Sequence, residues 1–319
     1  MFDVELWVSI LAVTVRSGTS LLYATLGEVL TERSGILNLG VEGLMIMGAA
    51  TGFAAAYHSG SVVVGALVAM VVAGLLAALH AFLTVSLRAD QTVSGLALSI
   101  FGTGLASFLG QRLGPAGKPL VGLIGPRFPR VPLPFLADLP ALGRSFFRAD
   151  ALTYLLYILV PLIWFWLYRT RPGLHLRAVG ESPRTADAMG VNVTTTRYLY
   201  TILGGMLMGL GGAHLSLAYT PGWSENLTGG RGWIAVAMVI FATWNPVRAV
   251  LGALLFGSVT AVQFRLQAAG TTIPAAFLGM LPYVFTIIVL VLITWWETFS
   301  KRVGAPAALG VPYIREDKG

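Results

Sequence analysis

The stretch SVVVGALVAMVVAGLLAALHAFLTVSL, residues 61–87, decides the class of fold. It contains no Asp, Glu, Lys or Arg, and a helix that crosses the hydrocarbon core of a bilayer needs about 20 consecutive apolar residues. Backbone N–H and C=O groups in lipid must be paired within the protein, so such a run forms a spanning helix. The whole chain shares this character. It is 56% hydrophobic and 11% charged, against about 25% charged in an ordinary soluble domain.

Similar apolar runs recur along the chain, several of them interrupted by glycine, which indicates packed and irregular helices. We predict nine membrane segments: 6–28, 41–58, 61–87, 92–112, 151–169, 198–219, 231–244, 247–263 and 275–298. The expected fold is an all-α, polytopic membrane protein with broken half-helices in two related halves. Residues 1–300 form one transmembrane domain, and 301–319 form a loose cytoplasmic tail.

The basic residues predict the orientation. If the polar segment 171–197 is cytoplasmic, alternation of the spans places most Arg and Lys inside, the N-terminus outside and the C-terminus inside. The Pro- and Gly-rich loop 113–150 is then external and divides the chain into two halves. Each half has a Gly-interrupted polar stretch, RSGILNLGVEG (33–43) and NLTGGRGW (226–233). Paired broken helices of this kind indicate a transport pathway.

The string GESPRTADAMG (180–190) predicts a short helix outside the bilayer. Ser182 is a good N-cap, Pro183 fits the first helical position, Arg184 to Met189 form about two turns, and Gly190 closes the end. A capped amphipathic helix in this place offers a rigid knob that another protein can grip. The chain is therefore expected to be the moving half of a machine whose motor is a separate polypeptide.

Several charged and polar residues lie within or between apolar runs near the start of the chain. Such groups usually face a cavity or a partner, because an isolated charge in hydrocarbon is costly. Asn38 and Glu42 are four residues apart and share one face of a helix. Two interpretations remain open. Either these residues line a polar pathway near the middle of the membrane, or they cap helices and pair with a neighbour such as Arg33.

Other classes of chemistry are excluded by the residues that are missing. The chain has no cysteine, so it has no disulfide and no thiolate metal site. The string nearest to a phosphate-binding loop, GPAGKP (114–119), has the wrong spacing and a proline in place of Ser or Thr. No Ser-His-Asp set and no H-E-x-x-H string is present. We therefore expect no enzymatic activity, no metal and no cofactor in this chain.

Two long motifs in a fixed order carry a family resemblance. GEVLTERSGILNLGVEGLMIMGA (27–49) and LRAVGESPRTADAMGVNV (176–193) resemble the permease subunits of ABC importers in the branched-chain amino-acid and simple-sugar group. The nucleoside-type members, served by basic-membrane-protein lipoproteins, are the most similar. GGRGWIAVAMVIFATWNPVRAVLGALLFG (229–257) matches the same subgroup. The resemblance implies a multi-pass permease in a bacterial inner membrane. It also implies a second permease, like or homologous, a cytoplasmic ABC ATPase and an external solute-binding lipoprotein.

The resemblance also implies roles for particular residues. In such permeases the region matching 176–193 holds a coupling helix that sits in a groove of the ATPase. The matching coupling residues are Gly180, Glu181, Pro183, Ala186, Asp187 and Gly190, and the predicted helix adds Ser182 and Arg184. The region matching 34–42 lines the translocation cavity. The pathway candidates are Glu28, Gly35, Asn38 and Glu42.

The substrate prediction depends on one departure from the family pattern. Sugar-type members commonly carry a G-I-D-L-S string where this chain reads GILNLG (35–40). Asn38 thus replaces a charged residue by a neutral amide, which favours nucleosides or a similar small polar solute. A sugar remains an alternative. A branched-chain amino acid also remains open, with Arg16 for its carboxylate and Glu42 for its ammonium group. Outside this class, Glu28 or Glu42 would carry protons in an ion-coupled secondary transporter.

Overall fold

The computed structural model describes residues 4–140, 142–300 and 304–315. Helices dominate it: α1 Val4–Arg33, α2 Val41–Ser59, α3 Val62–Ala81, α4 Gln91–Gly110, α5 Leu142–Phe146, α6 Ala151–Arg169, α7 Arg171–Glu181, α8 Pro183–Ala188, α9 Val193–His214, α10 Arg231–Phe241, α11 Pro246–Ala268 and α12 Ala275–Ser300. Two short strands, β1 Arg130–Pro132 and β2 Arg148–Asp150, pair antiparallel, with Arg130 opposite Asp150. The predicted all-α polytopic membrane fold is confirmed.

The prediction of nine spans is wrong. Within the described residues, seven helical segments are long and apolar enough to cross a membrane: Glu5–Arg33, Val62–Ser86, Gln91–Gly110, Ala151–Arg169, Val193–Tyr219, Pro246–Ala268 and Ala275–Leu292. The other two predicted segments, 41–58 and 231–244, correspond to α2, which is buried within the protein, and to α10, which is short. Helix α10 has 11 residues and is about 16 Å long at 1.5 Å per residue, roughly half of the hydrocarbon thickness.

Helix α2 lies inside the protein, and its position explains its composition. Nearly all of its residues from Val41 to Ala56 are buried, because α2 packs against α3, α4 and α9. A helix surrounded by protein needs no apolar face toward lipid, so it tolerates polar residues and glycines that a lipid-facing helix avoids. Gly48 faces Gly209 of α9 with no room for a side chain between them. The glycines of this region therefore set how closely α2 and α9 approach.

The two ends of the helices form two separate polar faces. At one face, the 113–150 loop folds over the helix ends, with Ser145 Oγ donating to the Val8 carbonyl at 3.3 Å and Phe128 N–H donating to the Leu217 carbonyl at 2.8 Å. At the other face lie the end of α1, helices α7 and α8, and residues 304–315. The 171–197 segment and the C-terminal segment are thus on the same face, as the predicted alternation requires. Which of the two faces is cytoplasmic stays a prediction.

The C-terminal segment is packed, so the expectation of a loose tail is wrong for residues 304–315. Ala308 N–H donates to the Gly180 carbonyl at 2.9 Å, and Gly310 N–H donates to the Gly35 carbonyl at 3.2 Å. Ala308 is 6% exposed. The remainder of the predicted tail, 301–303 and 316–319, lies outside the described residues.

Candidate functional site

The segment between α1 and α2, residues 34–40, is the α1–α2 junction. Helix α1 ends at Arg33, and Gly35 follows with a φ of +86°, a left-handed conformation that commonly ends helices and that glycine adopts without strain. The backbone beyond it is held by side chains of α4. Leu37 N–H donates to Gln91 Oε1 at 2.7 Å, and Ser99 Oγ donates to the Leu39 carbonyl at 2.7 Å. The chain therefore crosses the protein interior here without helical hydrogen bonds of its own.

Two of the predicted pathway residues meet at this junction. Glu28 and Asn38 are both fully buried. Glu28 Oε1 accepts from the backbone N–H of Asn38 at 3.2 Å, and Asn38 Oδ1 accepts from Gly40 N–H at 2.8 Å. Asn38 thus stabilises a turn inside the junction, while Gly40 is the N-cap of α2. The Nδ2 group of Asn38 and the Nε2 group of Gln91 are buried and have no partner among the residues that the structure describes.

Glu42, the fourth pathway candidate, caps the short helix α10. Its Oε1 accepts from Thr228 Oγ1 at 2.5 Å and from Gly230 N–H at 2.8 Å, and its Oε2 accepts from Gly232 N–H at 2.6 Å. The first backbone N–H groups of a helix have no partner within it, and the N-terminus attracts negative charge. Both oxygens of the Glu42 carboxylate are therefore used to hold α10, as the capping interpretation requires.

The other end of α10 is held by the last residues of α1. Arg33 Nε donates to the Trp244 carbonyl at 3.3 Å, and Trp244 Nε1 donates to the Glu32 carboxylate. Thr243 and Trp244 have φ values of +48° and +54°, which are uncommon outside glycine. Arg33 thus bonds to the turn after α10 and is not the partner of Glu42 among the described contacts. Residues on both sides of the α1–α2 junction fix the two ends of α10.

Helices α7 and α8 form a compact knob on the face opposite the 113–150 loop. Ser182 is the N-cap of α8 and accepts from Thr185 N–H at 3.4 Å. Pro183 occupies its first turn, and Gly190 ends it with a φ of +83°. The predicted caps of this helix are confirmed as local structure.

One side of the knob is packed against the protein. Gly180 lies directly on the carbonyl of Arg33, with no room for a side chain. Ala186 is buried in a small apolar cluster with Val179 and Val193. Asp187 Oδ2 lies 3.1 Å from Arg315 Nε. Three of the predicted coupling residues therefore anchor the knob.

The other side of the knob faces away from the protein. Glu181, Arg184 and Gly190 are exposed, and Ser182 and Pro183 are partly exposed. Met189, at the end of α8, is 80% exposed. The sequence places Met189 at the end of the predicted helix but not among the predicted coupling residues, although an apolar residue just before a helix-ending glycine in a polar segment was a usable signal. A single exposed apolar side chain is ordinary on a protein surface, so Met189 marks a binding surface only together with the capped and anchored knob that carries it.

Charged residues also line a cavity on the face of the 113–150 loop. The cavity has a volume of about 740 Å³ and is lined by Arg16, Arg130, Asp138, Arg144 and Arg148, among others. Arg16 Nε donates to the carbonyl of Ala12 at 3.2 Å, one turn earlier in α1. In the part of the chain that the structure describes, no three His, Asp or Glu side chains are grouped so that they could hold a metal ion.

Comparison with known proteins identifies the family. Residues 9–297 match the family model described as branched-chain amino acid transport system / permease component. A provisionally assigned glucose ABC transporter permease of Haloferax volcanii is 43% identical over 96% of this chain and 98% of its own length. A nucleoside ABC transporter permease of Lactococcus lactis is 39% identical, covering 93% and 94% of the two chains. A guanosine ABC transporter permease of Bacillus subtilis is 35% identical, covering 96% of both.

No solved structure matches the chain. The family match extends over nearly the whole chain, and these relatives align with it from end to end. The chain therefore belongs to the branched-chain amino acid transport system / permease component family and is a membrane permease of the ABC transporter class.

Proposed function

We propose that this permease is the membrane subunit of an ATP-driven importer of nucleosides, and that ATP is hydrolysed in a separate cytoplasmic subunit. The partners are an ABC ATPase, a second permease, like or homologous, and an external solute-binding lipoprotein. The knob formed by α7 and α8 carries the proposal, because it is anchored on one side and presents Met189 on the other. The permease lies in the cell membrane, with the knob and the C-terminus in the cytoplasm.

The contacts of the knob suggest how motion reaches the membrane helices. Gly180 rests on the carbonyl of Arg33, and the Arg33 side chain holds the turn at Trp244 that follows α10. A displacement of α8 by the ATPase therefore acts on the end of α1 and on α10 through close contacts. ATP can drive such a change only if the nucleotide-bound ATPase binds one state of the knob more tightly than the other.

The α1–α2 junction and the start of α10 are the proposed solute pathway. Asn38 Nδ2 and Gln91 Nε2 are buried N–H donors with no partner among the described residues. An amide can donate to the carbonyl, ring-nitrogen and hydroxyl acceptors of an uncharged solute without bringing a charge into the membrane. Glu28 and Gly35 position this segment, and Glu42 fixes the helix beside it. The neutral donors at the junction fit a nucleoside.

Glucose is the second candidate substrate. The relative that is 43% identical is provisionally assigned to glucose, while relatives that are 39% and 35% identical transport a nucleoside and guanosine by name. We favour the nucleoside because Asn38 presents a neutral amide. An amino acid is disfavoured, because Glu42 already accepts from Thr228, Gly230 and Gly232, which leaves about one of its four lone pairs for an ammonium group with three N–H donors. The same contacts disfavour Glu42 as a proton carrier.

The test is uptake by vesicles that contain the complete importer. We expect radiolabelled guanosine or adenosine to accumulate only when ATP is present on the ATPase side, and an excess of unlabelled glucose to leave this uptake unchanged. Glucose uptake that excess nucleoside does not inhibit would replace the substrate assignment. Accumulation by the permease without its ATPase, driven by an ion gradient, would contradict the ATP-driven mechanism.

Orientation has its own test because the chain contains no cysteine. A single cysteine introduced as Met189→Cys should react with a membrane-impermeant maleimide only from the cytoplasmic side of the membrane. A cysteine introduced as Lys118→Cys, in the 113–150 loop, should react only from the outside. The reverse pattern would invert the proposed topology.

A further inference from the structure

The C-terminal strap, residues 304–315, returns from α12 to the knob and crosses its anchored side. Its backbone bonds to two parts of the molecule at once, with Ala308 N–H on the Gly180 carbonyl at 2.9 Å and Gly310 N–H on the Gly35 carbonyl at 3.2 Å. Gly180 is in α7 and Gly35 is in the α1–α2 junction. The strap therefore ties the base of the knob to the start of the proposed pathway.

The second half of the strap binds α9 and α8. Arg197 of α9, which is 1% exposed, donates from Nη1 to the Val311 carbonyl at 3.1 Å. A buried guanidinium needs acceptors, because an unpaired buried charge is strongly unfavourable. Among the described residues, the Val311 carbonyl is the one hydrogen-bond acceptor of the Arg197 guanidinium. The Nε and Nη2 groups of Arg197 have no acceptor there. The interior of the protein thus depends on the strap for a hydrogen bond.

The end of the strap reaches the coupling helix itself. Arg315 Nε lies 3.1 Å from Asp187 Oδ2 of α8. Tyr313 packs against the apolar cluster of Val179, Ala186 and Val193. Partial burial and the neighbouring Asp187 carboxylate raise the pKa of Tyr313, so its hydroxyl stays protonated at neutral pH. The strap covers the side of α8 that faces the protein.

The space beside α8 makes these contacts important. A cavity of about 470 Å³ adjoins the helix and is lined by Arg88, Asp187, Asn192, Tyr313 and Arg315, among others. Helix α8 contributes one buried side chain, Ala186, to a small apolar cluster that Val179 of α7 and Val193 of α9 complete. An element with so few buried contacts opens or shifts at low free-energy cost. Without the strap, α8 could move into the cavity, and a push on its tip would be lost in that movement.

We propose that the C-terminal strap is a positioning element that makes the knob and the α1–α2 junction move as one body during transport. Arg315, Tyr313 and the Val311 carbonyl are its positioning groups, and the strap itself touches no solute. This inference rests on the proposed function, in which α8 receives the force of the ATPase. The further point is that the C-terminal strap, and not only α7, carries this force into the membrane helices.

The first test is amide hydrogen exchange of the full chain in lipid nanodiscs. A chain that stops after Gly310 lacks Val311, Tyr313 and Arg315, and a chain that stops after Arg315 is the matched control. We expect peptides covering 183–191 to exchange about tenfold faster in the shorter chain and unchanged in the control, because α8 loses the Arg315–Asp187 ion pair and the packing of Tyr313 together. Equal exchange in both chains would overturn the proposal.

A milder variant guards against misfolding of the truncated chain. Arg315 is 79% exposed in its side chain, so Arg315→Ala should fold normally. Because exposed ion pairs are weak, we expect amide exchange in 183–191 to rise in Arg315→Ala, but by no more than about fivefold. The exchange rate of Arg315→Lys should lie between those of Arg315→Ala and the native chain. An Arg315→Ala chain whose 183–191 exchange matches that of the native chain would overturn the role of Arg315.

The second test measures transport in the assembled importer. In the chain that stops after Gly310, we expect ATP hydrolysis to continue while the amount of solute taken up per ATP falls by about threefold or more, because part of each displacement of α8 no longer reaches the α1–α2 junction. An unchanged ratio would overturn the coupling role even if exchange increases. The exchange test needs no ATPase, so it tests the strap independently of the proposed function. Absence of ATP-dependent uptake by the native chain would instead contradict the proposed function.

Discussion

Two helix ends of this permease carry side chains in unusual environments: one side chain is charged but buried, and the other is apolar but exposed to solvent. Glu42, at the start of α2, is a carboxylate that is only 7% exposed, whereas Met189, at the end of α8, is a thioether that is 80% exposed. The Glu42 oxygens receive three hydrogen bonds from within the chain, while Met189 has little of the chain to cover it. The contacts of Glu42 favour a structural role for it, and the exposure of Met189 favours a contact with a partner; both assignments are open to test.

The largest expected effect is that of Glu42→Ala. It leaves the buried N–H group of Gly232, the buried hydroxyl of Thr228 and the partly buried N–H group of Gly230 without this acceptor, and should destabilise the protein by about 3–5 kcal/mol. Thermal unfolding in detergent, followed by size-exclusion chromatography, measures this loss. The control is Glu181→Ala, a carboxylate on the exposed side of the knob, which should change stability by less than about 0.5 kcal/mol. A Glu42→Ala protein of native stability that has lost only uptake would make Glu42 a pathway residue instead.

The second effect tests the link between the two regions. In Gly180→Val the side chain would collide with the Arg33 carbonyl, and overpacking of this kind costs about 1–3 kcal/mol. We expect the ATPase still to bind, because the tip of α8 is unchanged, while uptake per ATP falls. Binding and transport are measured on the same purified complex. Native transport by this variant would show that the Gly180–Arg33 contact does not transmit the motion.

The third effect concerns the exposed tip alone. Met189→Asp should leave the free energy of unfolding within about 0.5 kcal/mol of the native value, since the side chain is exposed. It should weaken binding of the ATPase by about 2 kcal/mol or more, as expected for an apolar anchor at the centre of an interface. Titration of the ATPase in a pull-down assay measures the change, and Met189→Leu is the control that should bind normally. Equal binding by the Asp and Leu variants would remove Met189 from the interface.

The smallest expected effect is at the end of α8. A Cβ at Gly190 would meet open space, so Gly190→Ala carries only the conformational cost of a φ of +83°, about 1 kcal/mol. Gly190→Asn should cost less, because Asn tolerates this conformation better. Hydrogen exchange of the 183–191 amides, measured in both variants, ranks the two costs. Equal exchange in Ala, Asn and Gly forms would mean that the end of α8 is not fixed by this residue.

The difference between the two regions also explains what could be predicted from the sequence. The caps of α8 are local, because Ser182, Pro183 and Gly190 act on backbone groups a few residues away. The partners of Glu42 are 186 to 190 residues distant along the chain. No local pattern indicates such contacts, so the sequence left the pathway and capping interpretations of Glu42 open.

The span count failed for a related physical reason. Hydropathy reports whether a segment tolerates lipid, and α2 is surrounded by protein, so its polar residues do not indicate how it is placed. Helix α10 is apolar but too short to cross the membrane, because it begins at the turn that Glu42 holds. The strap was missed because Pro- and Gly-containing termini are usually poorly ordered. Its contacts with Gly35, Gly180, Asp187 and Arg197 are again distant in the sequence.

The central claim is that the exposed tip of α8 is the surface on which a separate ATPase acts. The most direct measurement places a photo-crosslinking amino acid at Met189 in the assembled importer, with the same group at Leu75, an exposed residue of the spanning helix α3, as the control. We predict that position 189 crosslinks to the ATPase and that position 75 does not. Crosslinks from position 189 to lipid alone, or to no other polypeptide in an actively transporting complex, would contradict the account.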